Sequence, residues 1–64
     1  MITVNDIISK MKNGEAHVLL FNSETGAVIC KTIWYNLIPH MYYSYVVDSI
    51  RVTDYEMRLG IHEQ

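Results

Sequence analysis

The sequence predicts an α+β fold in which one N-terminal helix packs on a four-stranded antiparallel sheet. Three observations predict it: a helix-like apolar stripe at the start, two strand-like runs around a loop that contains glycine, and two further such runs near the end. The predicted order is α-β-β-(short α or 3₁₀)-β-β, and we expect residues 1–64 to form a single small domain.

The first fourteen residues have the pattern of an amphipathic helix. Thr3 and Asp6 have the spacing of a capping box, in which each side chain can accept a hydrogen bond from the other residue's backbone N–H. The apolar stripe with helical spacing consists of Val4, Ile7, Ile8 and Met11. Asn13-Gly14 supplies a left-handed ending. We therefore expect this helix to cover one face of the sheet.

The next segment predicts a β-hairpin with a five-residue loop. Two apolar runs flank Asn22-Ser23-Glu24-Thr25-Gly26, and Gly26 is expected at positive φ. Apolar residues occur on both sides of these strands, which indicates that both faces of the sheet are covered. The residues expected on the face away from the helix are Leu19, Phe21, Val28, Cys30 and Trp34.

The second half begins with "WYNLIPHMYYSYVV", residues 34–47, which holds five of the chain's seven aromatic residues. Pro39 within it can open a short helical turn through His40, Met41 and Tyr42. Strands resume at "VVDSIRV" and "YEMRLGI", and a turn at Thr53-Asp54 joins them.

The predicted function is based on the face of the sheet that points away from the helix. One short helix shields only one face of four strands, so an apolar area larger than the few hundred Å² typical of a monomer would stay uncovered. Tyrosine and tryptophan are enriched at protein interfaces. The predicted interface residues are Phe21, Trp34, Tyr35, Met41, Tyr42, Tyr43 and Tyr45. Two alternatives remain open: these rings close the chain's own core, or they form a platform for a ligand.

Catalytic, metal and cofactor patterns do not rise above background in this sequence. Cys30 is the only cysteine, so an intramolecular disulfide is impossible, and His17, His40 and His62 have no metal-ligand spacing. The three glycines are too dispersed for a phosphate cradle, and no nucleophile–base pair can be named. We therefore predict a protein that is not an enzyme and that holds no cofactor and no metal.

Charge and composition limit the classes of partner that the sequence predicts. The formal charge of −2 has the wrong sign for phosphate, and no lysine or arginine falls between residues 32 and 50, so nucleic acid is not the expected partner. The expected partner is a second copy, forming a homodimer, or a host protein. No stretch approaches the ~20 apolar residues of a membrane span. The lone cysteine and the start without a basic leader predict a cytoplasmic protein.

Two segments carry a resemblance, "TVNDIISKMKNG" and "LIPHMYYSYVVDSIRV". They resemble small proteins of phages and mobile elements of Gram-positive bacteria, which begin with a "TV-x-[DE]-[LI]-[IL]-x-x-[LM]-K" helix and continue into a β-meander with an "IP" turn before a "V-x-S-I" strand. The resemblance implies a phage- or element-encoded protein and no active-site residue. "NDIISKMKN" is also similar to a small phage inhibitor of CRISPR nucleases.

These observations together predict a non-enzymatic protein-binding protein that self-associates through an aromatic-rich sheet face. An inhibitor of a host defence enzyme is the first alternative. A module that binds single-stranded nucleic acid, with the aromatic rings as a stacking platform, is the second.

Overall fold

The computed structural model describes residues 1–11, 17–33 and 37–63 of the 64-residue chain. The elements, in order, are helix α1 (Val4–Ile8), strands β1 (Val18–Asn22) and β2 (Val28–Thr32), a 3₁₀ turn (His40–Tyr42), and strands β3 (Val46–Val52) and β4 (Met57–His62). The α+β class and the predicted order of elements are confirmed. None of the helices in the described segments has the length and apolar character that crossing a bilayer requires.

The four strands form one mixed sheet in the order β2-β1-β4-β3. The β1–β2 and β3–β4 pairs are antiparallel, but β1 and β4 are parallel, so the prediction of a fully antiparallel sheet is wrong for the central pair. The reason is burial. The two most buried strands, β1 and β4, occupy the centre of the sheet, and the two more exposed strands, β2 and β3, lie at its edges.

The hydrophobic core lies on one side of this sheet, called here the core face. The residues that are fully buried there, with at most 5% of their surface exposed, are Val4, Ile8, Val18, Leu20, Ile38, Leu59 and Ile61. Ile7 and Met11 pack against this cluster, so the predicted apolar stripe of the helix is confirmed. Ile38 also belongs to it, which places part of the segment between β2 and β3 over the core face.

Helix α1 is shorter than the sequence predicted. Its capping box is confirmed: Thr3 N donates to Asp6 Oδ2 at 2.9 Å, and Asp6 N donates to Thr3 Oγ1 at 3.2 Å. The helix nevertheless ends at Ile8, and looser turns continue it, with Lys10 N donating to the Ile7 carbonyl. The predicted ending at residues 13–14 lies outside the described residues.

The first hairpin forms as predicted, with Gly26 at φ 80° in its loop. A β-bulge then changes the face of the sheet on which the side chains of its second strand lie. Leu20 pairs with Cys30 and Phe21 with Val28, so Ile29 is the extra residue. As a result Cys30 packs against the core, and its predicted position on the opposite face is wrong. Trp34 lies outside the described residues.

The second hairpin turns at Thr53, close to the predicted position. Thr53 N donates to the Glu56 carbonyl at 2.8 Å, and Thr53 Oγ1 accepts from Glu56 N at 3.0 Å. The last strand therefore begins at Met57 rather than at Tyr55, which is exposed in the turn.

Candidate functional site

The tyrosine-rich segment lies on the core face and is partly used by the fold itself. Tyr42, Tyr43 and Tyr45 are half-buried and pack against the hydrophobic core. Their backbone also supports α1, because Val4 N donates to the Tyr45 carbonyl and Asn5 N to the Tyr43 carbonyl, both at 3.0 Å. Two N–H groups at the start of the helix, which have no partner within it, are satisfied in this way.

The structure does not bring together the five predicted interface residues that it describes. Phe21 lies on the sheet face opposite the three tyrosines, and Met41 is exposed in the 3₁₀ turn beside them. Trp34 and Tyr35 lie outside the described residues. The described aromatic residues of this set are thus divided, with Phe21 on one face of the sheet and the three tyrosines on the other.

The face of the sheet opposite the core is called here the open face. Residues paired across strands share a face, so the register places two rows there. The first row is Val28, Phe21, Gly60 and Ser49, and the second is Lys31, Leu19, Arg58 and Arg51. Both edge strands are exposed at these positions, and Val28 has 62% of its surface in solvent.

The ring of Phe21 lies across Gly60 in the middle of the open face. A Cβ at residue 60 would come within 2.8 Å of the ring's Cζ, and it would also collide with the Oγ of Ser49. Because Gly60 has no side chain, the ring can lie close to the backbone of β4. Packing of an aromatic ring over a strand glycine of the neighbouring strand is a known way to protect that glycine. The result is an aromatic surface at the centre of the sheet.

A row of cations crosses the same face. Lys31, Arg58 and Arg51, three of the chain's five lysines and arginines, come from β2, β4 and β3 and lie in one register row. Glu56 pairs with one of them, since its Oε1 lies 3.0 Å from Arg58 Nε. Arg51 and Arg58 pair across the β3–β4 hairpin, and the parallel β1–β4 pairing adds Lys31 to the row through Leu19. Sequence reasoning missed the full row because it did not predict that β1 and β4 are neighbours.

A second exposed apolar surface lies beside helix α1. The α1–β3 groove, of about 570 Å³, is lined by Ile2, Ile7, Met11, Ile50 and Met57, with Asp6 and Lys10 at its rim. Ile2 and Ile50 each have about half of their surface in solvent. Val47 N donates to the Ile2 carbonyl at 2.8 Å, so the first residues of the chain cover the start of the β3 edge. The remainder of that edge is Ser49–Val52.

Ser23, Asp48 and His62 form a side-chain cluster at the far end of the sheet. Asp48 stands at a bulge in β3, and its Oδ2 accepts a hydrogen bond from Ser23 Oγ at 2.6 Å and another from His62 Nδ1. These two hydrogen bonds lower the pKa of Asp48 below its ordinary value of 3.8. In a catalytic triad the histidine stands between the serine and the carboxylate. Here the carboxylate stands between them, so His62 cannot take the Ser23 proton.

The remaining polar candidates from the sequence do not converge. Within residues 1–11, 17–33 and 37–63, the structure brings no three His, Cys, Asp or Glu side chains into an arrangement that could hold a metal ion. Cys30 is half-buried, and its thiol is free. Comparisons with protein-family models, with curated proteins and with solved structures found no match to this chain.

Proposed function

We propose that this chain is a non-enzymatic binding protein that recognises another protein through the open face of its sheet. One observation carries the proposal: the exposed row Lys31, Arg58 and Arg51 lies directly beside an apolar row that contains the exposed Val28 and the half-buried Phe21. Aromatic and arginine side chains are the groups that most often dominate binding energy at protein interfaces. A rigid sheet presents them in a fixed arrangement without a cost in loop ordering.

The positive charge of the open face indicates the kind of partner surface that would bind it. Three cations with one paired carboxylate make this face positive, although the chain as a whole carries −2. A partner surface with carboxylates around an apolar centre would complement both rows. Four strands of about five residues span a plane of only roughly 15 by 17 Å. That is small for a permanent complex, so we expect a transient one.

Self-association is part of the proposal, and its surface is the α1–β3 groove. A two-fold dimer through the open face would bring two rows of cations into one interface, which is unfavourable. Antiparallel pairing of the β3 edge with the same edge of a second copy would instead place Ile50 opposite Ile50. Because Ile50 lines the groove, this arrangement would join the two grooves into one buried apolar surface and the two sheets into one of eight strands.

Light scattering with matched variants tests the self-association. We expect a mass of twice 7.5 kDa at high micromolar concentration for the wild-type chain and for Val28→Lys, and a monomer for Ile50→Lys. Dissociation by Val28→Lys alone would show that the open face, rather than the groove, holds the dimer. A monomer at every concentration for the wild-type chain would rule out the homodimer.

Single-stranded nucleic acid is a second candidate ligand for the open face. The observation that favours it is Phe21, an aromatic ring on a sheet beside three cations, which is the combination that stacks bases and contacts phosphates. Such binding would weaken steeply as the salt concentration rises. Fluorescence anisotropy with a labelled single-stranded oligonucleotide at low salt tests this candidate.

One pair of variants tests the open face for both kinds of ligand. Lys31→Glu with Arg51→Glu reverses two charges of the row, and Lys10→Glu reverses a charge at the rim of the α1–β3 groove. Captures from a bacterial lysate are compared by quantitative mass spectrometry. We expect proteins that the wild-type chain and Lys10→Glu retain and the double variant loses. Equal retention by all three would refute binding through this face, and loss of oligonucleotide affinity in the double variant alone would favour nucleic acid.

A further inference from the structure

An open pocket lies on the core face at the end of β1 and β4, away from both surfaces described above. Its volume is about 430 Å³, which is within the range of small-ligand sites. Two aromatic rings form one wall: the centroids of Tyr42 and Tyr45 lie 5.2 Å apart, and the ring planes meet at 78°. Ile29 and Ile61 contribute apolar surface to its lining.

The charges around this pocket are negative. Glu24 and Glu63 line it, and both are exposed. His62 lines it as well, but its Nδ1 is hydrogen-bonded to the carboxylate of Asp48, so any positive charge on the ring is offset by its partner. No lysine or arginine of the described segments is among the lining residues. The pocket therefore repels anions and attracts cations.

Two aromatic rings that meet near a right angle, with carboxylates at the rim of the pocket, favour one chemical class of ligand. The face of an aromatic ring attracts a cation within about 6 Å of its centroid, and alkylated ammonium groups are the ligands that aromatic corners bind best. The isoleucines favour a ligand whose charge is attached to a carbon chain. We propose that this pocket binds an organic cation, an ammonium or guanidinium group on an aliphatic chain.

Such a group has two sources, a free amine or a lysine or arginine side chain of another protein. The site does not use the open face and so does not depend on the function proposed above. The ¹⁵N-labelled chain is titrated with butylammonium, with tetramethylammonium and with neutral 1-butanol. A short capped peptide with one lysine, and the same peptide with norleucine in its place, form the second arm.

We expect saturable shifts of the amide signals of Tyr45, Ile61 and His62 with both ammonium ions and none with 1-butanol. The combined change Glu24→Gln and Glu63→Gln should weaken binding roughly three- to tenfold, because each exposed charge contributes modestly. Asp54→Asn, at the opposite end of β4, should leave the affinity unchanged.

Tighter binding of the lysine peptide than of butylammonium assigns the site to a protein side chain, and the reverse order assigns it to a free amine. Both results support the proposal. Shifts that grow linearly with concentration, equal binding of 1-butanol, or an unchanged affinity in the variant without Glu24 and Glu63 would each overturn it. Because both glutamates are exposed, their replacement does not threaten the fold.

Discussion

The two faces of the sheet are built from the same four strands, yet they differ in burial and in charge. On the core face Leu20, Leu59 and Ile61 are completely buried. On the open face Val28 is largely exposed and cations occupy three of the four strands. One face therefore provides the stability of the domain, and the other is available for binding.

Leu19 shows how the open face tolerates apolar residues without a second layer. It is only 7% exposed although it lies on this face. Its cross-strand neighbours are Lys31 and Arg58. Long cationic side chains can lay their aliphatic stems along apolar surface while the charged end stays in water. We infer that the cation row also shields the carbon beneath it, which reduces the need for a partner.

The two faces should differ most in how much free energy of unfolding a substitution removes. Leu59→Ala should lower the free energy of unfolding by about 2–5 kcal/mol, because it leaves a cavity in the core. Val28→Ala on the open face should cost less than about 0.5 kcal/mol. Urea denaturation followed by circular dichroism measures both. Equal losses would mean that the open face is as tightly packed as the core.

The second effect concerns the centre of the open face. Gly60→Ala should destabilise the chain by about 1–3 kcal/mol, because the new Cβ meets the Phe21 ring. In a chain that already carries Phe21→Ala the same change should cost less, since part of the obstruction is gone. A double-mutant cycle by urea denaturation measures this coupling. Strict additivity would contradict the close packing of Phe21 on Gly60.

The third effect concerns the helix that covers the core face. Thr3→Ala removes the side-chain half of the capping box, the hydrogen bond from Asp6 N to Thr3 Oγ1, and should cost about 1 kcal/mol of stability. Ser9→Ala, at the other end of α1, removes only a hydrogen bond to the Asp6 carbonyl and serves as the matched control. If both variants melt at the same temperature, the cap contributes nothing beyond an ordinary surface hydrogen bond.

The weakest of these effects is the stability lost at low pH when Asp48, at the bulge in β3, is protonated. The pKa of Asp48 is lowered in the folded chain, so its contribution to stability is present above its unfolded pKa and is lost as the pH falls through the folded value. The melting temperature should therefore fall below about pH 4, and Asp48→Asn should reduce this fall. Asp54→Asn, in the β3–β4 turn, is the control. An identical pH profile for all three chains would contradict the role of Asp48.

The cap of α1, the Gly26 loop and the alternation of β4 could be read from the sequence because each depends on residues a few positions apart. The bulge that turns Cys30 toward the core depends on pairing between strands, so the sequence pattern placed this residue on the wrong face. The seven predicted interface residues were chosen by residue type. Among those that the structure describes, Phe21 lies on one face and the three tyrosines on the other. This separation depends on which strands are neighbours, and composition does not contain that information.

The sequence by itself determined the local elements, because capping, turn geometry and apolar periodicity act over short distances along the chain. The parallel pairing of β4 with β1 appears only in the folded chain, and it brings Lys31 into one row with Arg58 and Arg51. Which strands are buried at the centre of the sheet depends on packing across the whole chain, and this packing brings together residues that no local pattern connects.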